Sequence, residues 1–173
     1  MRTRRLPVQI ADMRYPTYSE IIFINGRILN NPEIQSGKKK IRDIDLLLAA
    51  AQRPQASAFG QDAYRTLKEK AAVLVHAIAR NHPFADGNKR TATIGALFLL
   101  HINGEKVLWK PQAALDRILN VAEGRTAPES FAAWLQTAST GEAALEPDSV
   151  QDRHIIDTLI AEQKWLLDEL AKR

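Results

Sequence analysis

Residues 82–90 hold the side chains of this chain whose types and spacing suit phosphate chemistry. They read HPFADGNKR and run directly into a strongly apolar stretch that predicts a buried helix. A helix that begins at Asn88 has unpaired N–H groups and the positive end of its dipole there, and both favour an anion. Gly87 permits a backbone conformation that turns successive N–H groups inward. Lys89 and Arg90 add donors, so the segment predicts a phosphate-binding site.

Three more side chains of this loop extend the predicted chemistry. Phosphate would repel the carboxylate of Asp86 unless a divalent cation joins them, and Mg²⁺ is commonly held by one carboxylate and phosphate oxygens. His82 has an ordinary pKa near neutrality, which suits a general base. Phe84 is expected to point into the core and anchor the loop. Each residue alone has a commoner structural explanation; together they predict transfer from a nucleotide onto a hydroxyl that His82 deprotonates.

The elements that must position this loop are helices. The hydrophobic spacing and the capping residues predict helices over residues 17–28, 46–52, 63–80, 88–102, 112–123, 126–138 and 149–171. Arg53 to Gly60 reads as a loop or a short hairpin, and a short strand is predicted over 107–109. The expected fold class is therefore all-α, with at most a small hairpin.

Composition narrows the class of protein. The chain has 173 residues, 45% hydrophobic, and no cysteine, which favours one globular domain without disulfides or thiolate metal sites. Residues 1–140 carry 20 Lys/Arg against 12 Asp/Glu, and residues 141–173 carry 4 against 8. The basic body suggests an anionic ligand. No apolar run is long enough for a signal peptide or a membrane span, so we expect a cytoplasmic protein with no membrane partner.

Residues 82–90 resemble the signature of the Fic/Doc superfamily, His-Pro-Phe-x-Asp/Glu-Gly-Asn-Gly/Lys-Arg, at every defined position. The resemblance implies a catalytic Fido domain at 17–138, preceded by an N-terminal extension at 1–16. An additional amphipathic C-terminal helix follows at 148–173. The fold that it implies is a helical bundle with a small β-hairpin flap, here at 53–62, which aligns a target segment by strand addition.

The resemblance also implies a role for each residue of the signature. His82 would be the base that acts on a Ser or Thr hydroxyl of a target protein, with ATP as co-substrate. The other implied roles are Mg²⁺ binding by Asp86, binding of the nucleotide phosphates by Gly87, Asn88, Lys89 and Arg90, and anchoring of the loop by Phe84.

Position 89 bears on the reaction. Fic proteins that attach AMP carry Gly there and usually a second Arg three residues after the signature Arg, whereas this chain has Lys89 and Thr93. In this position the chain resembles Doc-type toxins, which also carry Lys in place of the Gly. These toxins transfer the γ-phosphoryl group of ATP to elongation factor Tu, and a separate antitoxin inhibits them. The resemblance thus favours a Doc-type protein kinase, the toxin of a toxin–antitoxin system. The alternative is a Fic-type AMP transferase.

The C-terminal helix leaves three interpretations open. Many Fic proteins are inhibited by a helix bearing Ser/Thr-x-x-x-Glu-Gly/Asn, and this chain has Thr158 and Glu162 followed by Gln163. Glu162 is thus a candidate inhibitory contact to Arg90. The other two interpretations are packing on the body or on a second subunit, as in a homodimer, and contact with an antitoxin or target.

A basic, non-enzymatic nucleic-acid or protein-binding module is the alternative from another functional class. The basic body is what such a protein shows. The sequence has no recognisable helix-turn-helix pattern and no basic stripe along one helix. The intact signature also argues against an inactive enzyme, so nucleic acid is not an expected partner.

Overall fold

Helices dominate residues 13–173, the part of the chain that this computed structural model describes. The helices are α1 (Tyr18–Ile28), α2 (Pro32–Gln35), α3 (Ile44–Gln52), α4 (Leu67–Ala79), α5 (Asn88–Ile102), α6 (Pro111–Ala122), α7 (Pro128–Trp134), α8 (Ser149–Glu162) and α9 (Lys164–Ala171). The strands are β1 (Ser57–Ala58), β2 (Gln61–Asp62), β3 (Glu105–Val107) and β4 (Thr137–Ser139). The all-α prediction is confirmed. Most of the predicted extension at 1–16 lies outside the described residues.

Helix α5 is the centre of the fold. Its residues from Thr91 to Leu100 are all buried, because α4 packs along one side and α1, α6, α8 and α9 cover others. An apolar sequence without a polar face predicts such burial, and the predicted bounds 88–102 are confirmed. No helix in residues 13–173 is long and apolar enough to cross a membrane.

Capping residues set the starts of the helices around α5. Thr17 and Glu20 form the predicted capping box at α1, and Asp43 caps α3. Helix α4 begins at Leu67 rather than at the predicted residue 63, because Thr66 forms a capping box there with Glu69. Each such box satisfies N–H groups that the first turn leaves unpaired.

A two-stranded hairpin occupies the predicted flap region. Ser57 pairs with Asp62 across it, and the turn residues Phe59 and Gly60 both have positive φ, 54° and 76°, as a two-residue hairpin turn requires. Lys70 of α4 holds its base, since the buried ammonium donates to the Asp62 carboxylate at 3.1 Å and to a carbonyl before β1.

The predicted helix over 126–138 is wrong at both ends. Ala127 is the N-cap of α7, so the expected Thr126–Glu129 capping box does not form. The helix ends at Trp134, and Thr137–Ser139 instead forms β4, paired antiparallel with β3. The strand predicted at 107–109 lies slightly earlier, as β3. Pairing between segments some thirty residues apart overrides the local helical pattern here.

The predicted single helix over 149–171 is also wrong. Gln163 breaks it into α8 and α9, with φ −98° and ψ 16°. Helix α8 packs on α5 and α1, while α9 packs on α6 and α5. The buried residues Ile156, Leu159, Leu166 and Leu170 therefore cover this chain's own body.

A buried ion pair fastens α8 to the start of the described chain. The guanidinium of Arg14 donates to both carboxylate oxygens of Asp152, at 3.0 and 2.6 Å, and to Glu20 at 3.1 Å. The side chains of Arg14 and Asp152 are 6% and 9% exposed. The side-chain amide of Asn103 bonds the backbone of Arg14 as well, since its oxygen accepts from the Arg14 N–H and its nitrogen donates to the Arg14 carbonyl. Residues near the N-terminus, the middle and the C-terminal helices therefore meet at one point.

Candidate active site

The loop of residues 82–90 joins α4 to α5 and is fixed by its own side chains. Phe84 is 3% exposed and packs in the core. The side-chain amide of Asn88 clamps it there: its oxygen accepts from the Phe84 N–H and its nitrogen donates to the Phe84 carbonyl, both at 2.9 Å. Because both ends of this amide are engaged, Asn88 shapes the loop in this structure. Its implied contact with phosphate stays a prediction.

Asn25 is a supporting residue that the sequence analysis missed. Its buried amide nitrogen donates to the carbonyl oxygen of Asp86 at 2.9 Å and to the Thr91 hydroxyl at 3.0 Å. It therefore ties α1 to the loop and to the first turns of α5. The available signal was a polar residue on the apolar face of α1, four positions after Ile21 and one after Ile24.

Gly87 is required by both conformation and space. Its φ is 76°, in the left-handed region, and a β-carbon there would lie 3.2 Å from the Asn25 amide nitrogen and 3.3 Å from the Leu29 side chain. Glycine adopts this conformation without strain. Gly87 thus lets α1 press directly against the start of α5.

The start of α5 is open to an anion. Its N-cap is Gly87, which offers no capping side chain, and its first turn holds no acidic residue. Lys89 and Arg90 lie in that turn, with the Arg90 side chain 17% exposed. The N–H groups of the first turn lack intrahelical partners, and the dipole adds positive potential. The geometry favours a phosphate group at this point.

Asp86 is the carboxylate nearest this anion site. Its side chain is 73% exposed and lies 3.5 Å from an Arg90 nitrogen. Within residues 13–173 no group of three or more His, Cys, Asp or Glu side chains could hold a metal ion. One exposed carboxylate beside a phosphate site fits Mg²⁺ that is bound jointly with phosphate oxygens, which is how Mg²⁺ is commonly held, and does not fit a cage made by protein alone.

His82 is held in an unusual backbone conformation beside several cations. Its φ is 53°, and Arg42 donates from Nε to the His82 carbonyl oxygen at 2.8 Å. Partial burial of the ring lowers the pKa of His82, and the charges of Lys89, Arg42 and Arg80 lower it further. The ring is therefore neutral at pH 7 and able to accept a proton. The sequence analysis did not single out Arg42.

The comparison with protein families agrees with this geometry. A model described as the Fic/DOC family matches residues 15–100, from just before α1 to near the end of α5. The chain belongs to the Fic/Doc family. It is also 56% identical over 68 residues to Toxin Doc of Mycolicibacterium smegmatis, a match that covers 39% of this chain and 52% of that relative. The chain thus spans about half the length of the curated relative that it matches.

Position 93 distinguishes this Fic/Doc chain from the AMP-transferring pattern described above. Thr93 is fully buried, and its hydroxyl donates to the Lys89 carbonyl at 2.8 Å. It therefore supplies no charge to the anion site. The signature cations there are Lys89 and Arg90.

The predicted inhibitory contact of the C-terminal helix is not formed in this structure. Glu162 and Thr158 are exposed. Arg90 lies next to Asp86, and no ion pair joins it to Glu162 in the described part of the chain. The C-terminal helices lie outside the residues that match the Fic/Doc family model.

Proposed function

We propose that this protein is a Doc-type toxin that transfers the γ-phosphoryl group of ATP to a Ser or Thr hydroxyl of a target protein. One observation carries the proposal: the uncapped start of α5, with Lys89 and Arg90 in its first turn, lies beside His82, whose pKa is lowered. An anion site and a neutral base are thus adjacent. The similarity to a protein named Toxin Doc supports the same class.

Each residue of the proposed site has a separate role in phosphoryl transfer. His82 accepts the proton of the attacking hydroxyl, and its lowered pKa keeps it unprotonated and ready at neutral pH. The N–H groups of the first turn, with Arg90, stabilise the negative charge on the phosphoryl oxygens. Asp86 is placed to hold Mg²⁺, which when bound neutralises phosphate charge.

Lys89 and Thr93 favour phosphoryl over AMP transfer. Lysine at position 89 fills space that glycine would leave open and adds a charge beside the phosphates. The buried Thr93 lacks the second cation expected of an AMP transferase. We therefore infer that ATP presents its γ-phosphate to His82. AMP transfer, the other reaction of the signature, is the alternative result of the experiment below.

Two partners follow from the proposed class. The relative is named as a toxin, so we infer an antitoxin that silences this chain. Elongation factor Tu is the proposed target, because Doc-type toxins modify it. The hairpin of β1 and β2, held by Lys70, is the proposed docking element for the target segment.

The test uses ATP labelled at either the α or the γ phosphate, with Mg²⁺, elongation factor Tu and a cell lysate. The wild-type chain is compared with His82→Ala and with His154→Ala, a control at an exposed histidine of α8. We expect γ label on protein with the wild type and the control, and none with His82→Ala. Label from the α position identifies an AMP transferase instead. No label from either position refutes both reactions.

Lys89→Gly tests the residue that we assign to the choice of reaction. If Lys89 sets how the triphosphate lies, this variant moves label from the γ toward the α position. An unchanged product removes Lys89 from the explanation.

A further inference from the structure

Three consecutive lysines, Lys38 to Lys40, have no role in the reaction described above. Their side chains are exposed, and within residues 13–173 none of their ammonium groups forms an ion pair or a hydrogen bond. The backbone that carries them is tied to α2, because the N–H groups of Lys38 and Lys39 both donate to the Glu33 carbonyl oxygen, at 2.9 and 3.2 Å. The lysines are therefore unpaired cations on a turn of defined position.

The residues that follow these lysines run against the start of the signature loop. Arg42 donates from Nε to the His82 carbonyl oxygen at 2.8 Å, and the Asp43 N–H donates to the Pro83 carbonyl oxygen at 3.1 Å. Lys40 is two positions before Arg42, so the Cα atoms of these two residues are at most about 7 Å apart. The lysines thus lie on the His82 side of the loop. We call Lys38, Lys39, Lys40 and Arg42 the basic strip.

The basic strip and the anion site adjoin different ends of the signature loop. The strip contacts residues 82 and 83, through Arg42 and its neighbour, whereas the anion site is formed by residues 87–90 at the start of α5. Phosphates at the start of α5 already have the N–H groups of the first turn and Arg90 as partners. The strip is therefore available to the other reactant, the target protein.

Positive charge prevails around the basic strip. The exposed carboxylates beside it are Glu33 and Asp45, and each lies in the first turn of a helix, where unpaired N–H groups offset part of the negative charge. Arg80 and Lys89 add cations from α4 and α5: partial burial lowers the pKa of His82, and these charges lower it further. The entrance to the proposed base is thus electropositive.

An acidic protein segment fits this surface better than a nucleic acid does. Lysine ammonium groups on long flexible stems are point charges that can pair with carboxylates at slightly different positions. Proteins that hold single-stranded nucleic acid add aromatic side chains on which the bases stack, and residues 36–43, which read SGKKKIRD, contain none. The proposed reaction also requires a Ser or Thr of a protein at His82, directly beside the strip.

We propose that the basic strip binds acidic residues of the target protein that lie next to the modified Ser or Thr. The proposal rests on the proposed function and names the chemistry of its target. The hairpin of β1 and β2 follows the other end of α3, where it is available to the main chain of the target segment. In this assignment the hairpin binds backbone and the strip selects charge.

Peptide binding to the full chain tests the assignment. The probes are a single-stranded oligonucleotide and two fluorescein-labelled peptides of equal length, which place one threonine among glutamates or among glutamines. Lys39→Gln combined with Lys40→Gln removes two charges of the strip. Lys106→Gln combined with Lys110→Gln is the matched control, at exposed positions beyond the far end of α5, whose 15 residues separate its two ends by about 22 Å. Fluorescence anisotropy in about 50 mM salt measures the affinity for each probe, calorimetry measures that for ATP, and thermal unfolding checks that each variant is folded.

We expect the wild-type chain to bind the glutamate peptide more tightly than the glutamine peptide. The strip variant should weaken binding of the glutamate peptide about threefold to tenfold. The control should stay within about twofold of the wild type, because its lysines lie farther from the loop than salt lets charges act. ATP affinity should not change in either variant, and about 500 mM salt should abolish the preference for glutamate.

Equal binding of the two peptides by the wild type, or equal losses in the strip variant and the control, overturns the assignment. A parallel loss of ATP affinity in the strip variant also overturns it, because the lysines then bind the nucleotide. Tighter binding of the oligonucleotide that is lost in the strip variant assigns the strip to nucleic acid instead. If His82-dependent γ label continues while the peptides bind alike, only the target chemistry is wrong. If the glutamate preference is found without any label, the strip is confirmed and the proposed reaction is wrong.

Discussion

The buried pair of Arg14 and Asp152 predicts that the C-terminal helices cannot be loosened without a large loss of stability. Asp152→Asn keeps the volume of the side chain and removes its charge. The Arg14 guanidinium then stays buried with Glu20, at 3.1 Å, as its remaining carboxylate partner. Removing one partner of a buried ion pair typically costs about 3–5 kcal/mol, because the other charge is left uncompensated.

The size of the expected stability loss follows from the contacts of Arg14 that remain in Asp152→Asn. Glu20 keeps one ion pair to Arg14, and an asparagine oxygen can still accept one of the two hydrogen bonds that Asp152 accepts from Arg14. We therefore expect the lower end of that range, a loss of about 3 kcal/mol in the free energy of unfolding. For a chain of this size about 2–4 °C accompanies each kcal/mol, so Tm falls by about 6–12 °C.

Urea and thermal unfolding at pH 7 measure this loss. Asp157→Asn is the matched control: it removes the same charge from the same helix, but its pair with Arg27 is about 40% exposed on both sides and contributes about 0–1 kcal/mol. Arg14→Met combined with Asp152→Leu should recover most of the loss, because both charges of the buried pair are removed and the Glu20 carboxylate, 20% exposed, keeps its hydrogen bond from the Thr17 N–H. If Asp152→Asn costs no more than Asp157→Asn, the reasoning about the buried pair is refuted.

Three further predictions concern the loop, pH and the hairpin. Asn88→Ala removes both hydrogen bonds to Phe84 and should lower the free energy of unfolding by about 2 kcal/mol; a shift of the urea midpoint too small to measure would rule out the clamp. Burial lowers the pKa of His76, and Arg53 lowers it further, so the folded state binds the proton less tightly than the unfolded state does. The contribution of His76 to stability is then fully present above about pH 6.5 and is lost as pH falls through the lowered pKa. The free energy of unfolding, measured from pH 8 to pH 5, should therefore fall less steeply in His76→Gln than in the wild type. Lys70→Met removes the anchor of the hairpin and should speed amide exchange in β1 and β2 at least tenfold, and equal rates would show that the hairpin is held elsewhere.

The best-predicted parts of the fold are those with local signals. Helix α5 has the bounds read from the sequence, since Gly87 precedes it and Asn103 with Gly104 follows its apolar stretch. A loop or short hairpin was expected over residues 53–60 because the segment is small and polar, and the resemblance placed the flap at 53–62; Gly60 there has the positive φ of a tight turn. In such segments neighbouring residues decide the backbone.

The parts that the sequence did not predict depend on distant contacts. Strand β4 forms because β3 is there to pair with it, and no local pattern shows this. Asn25 contacts Asp86 and Thr91, more than sixty residues away, so its role emerges only in the folded chain. The break at Gln163 lets α8 and α9 each follow the surface beneath it, which a single amphipathic pattern does not reveal.

The long separation between Arg14 and Asp152 has a consequence for synthesis on the ribosome. The two residues are 138 positions apart, and translation at roughly 5–20 residues per second takes about 7–28 s to cover that distance. Until Asp152 has left the ribosome, Arg14 lacks the partner that makes its burial favourable, although the whole signature loop has already emerged. Helices α8 and α9 are likewise missing from every shorter nascent chain. The nascent chain therefore carries its signature loop for some seconds before the pair that fastens α8 to the body can form.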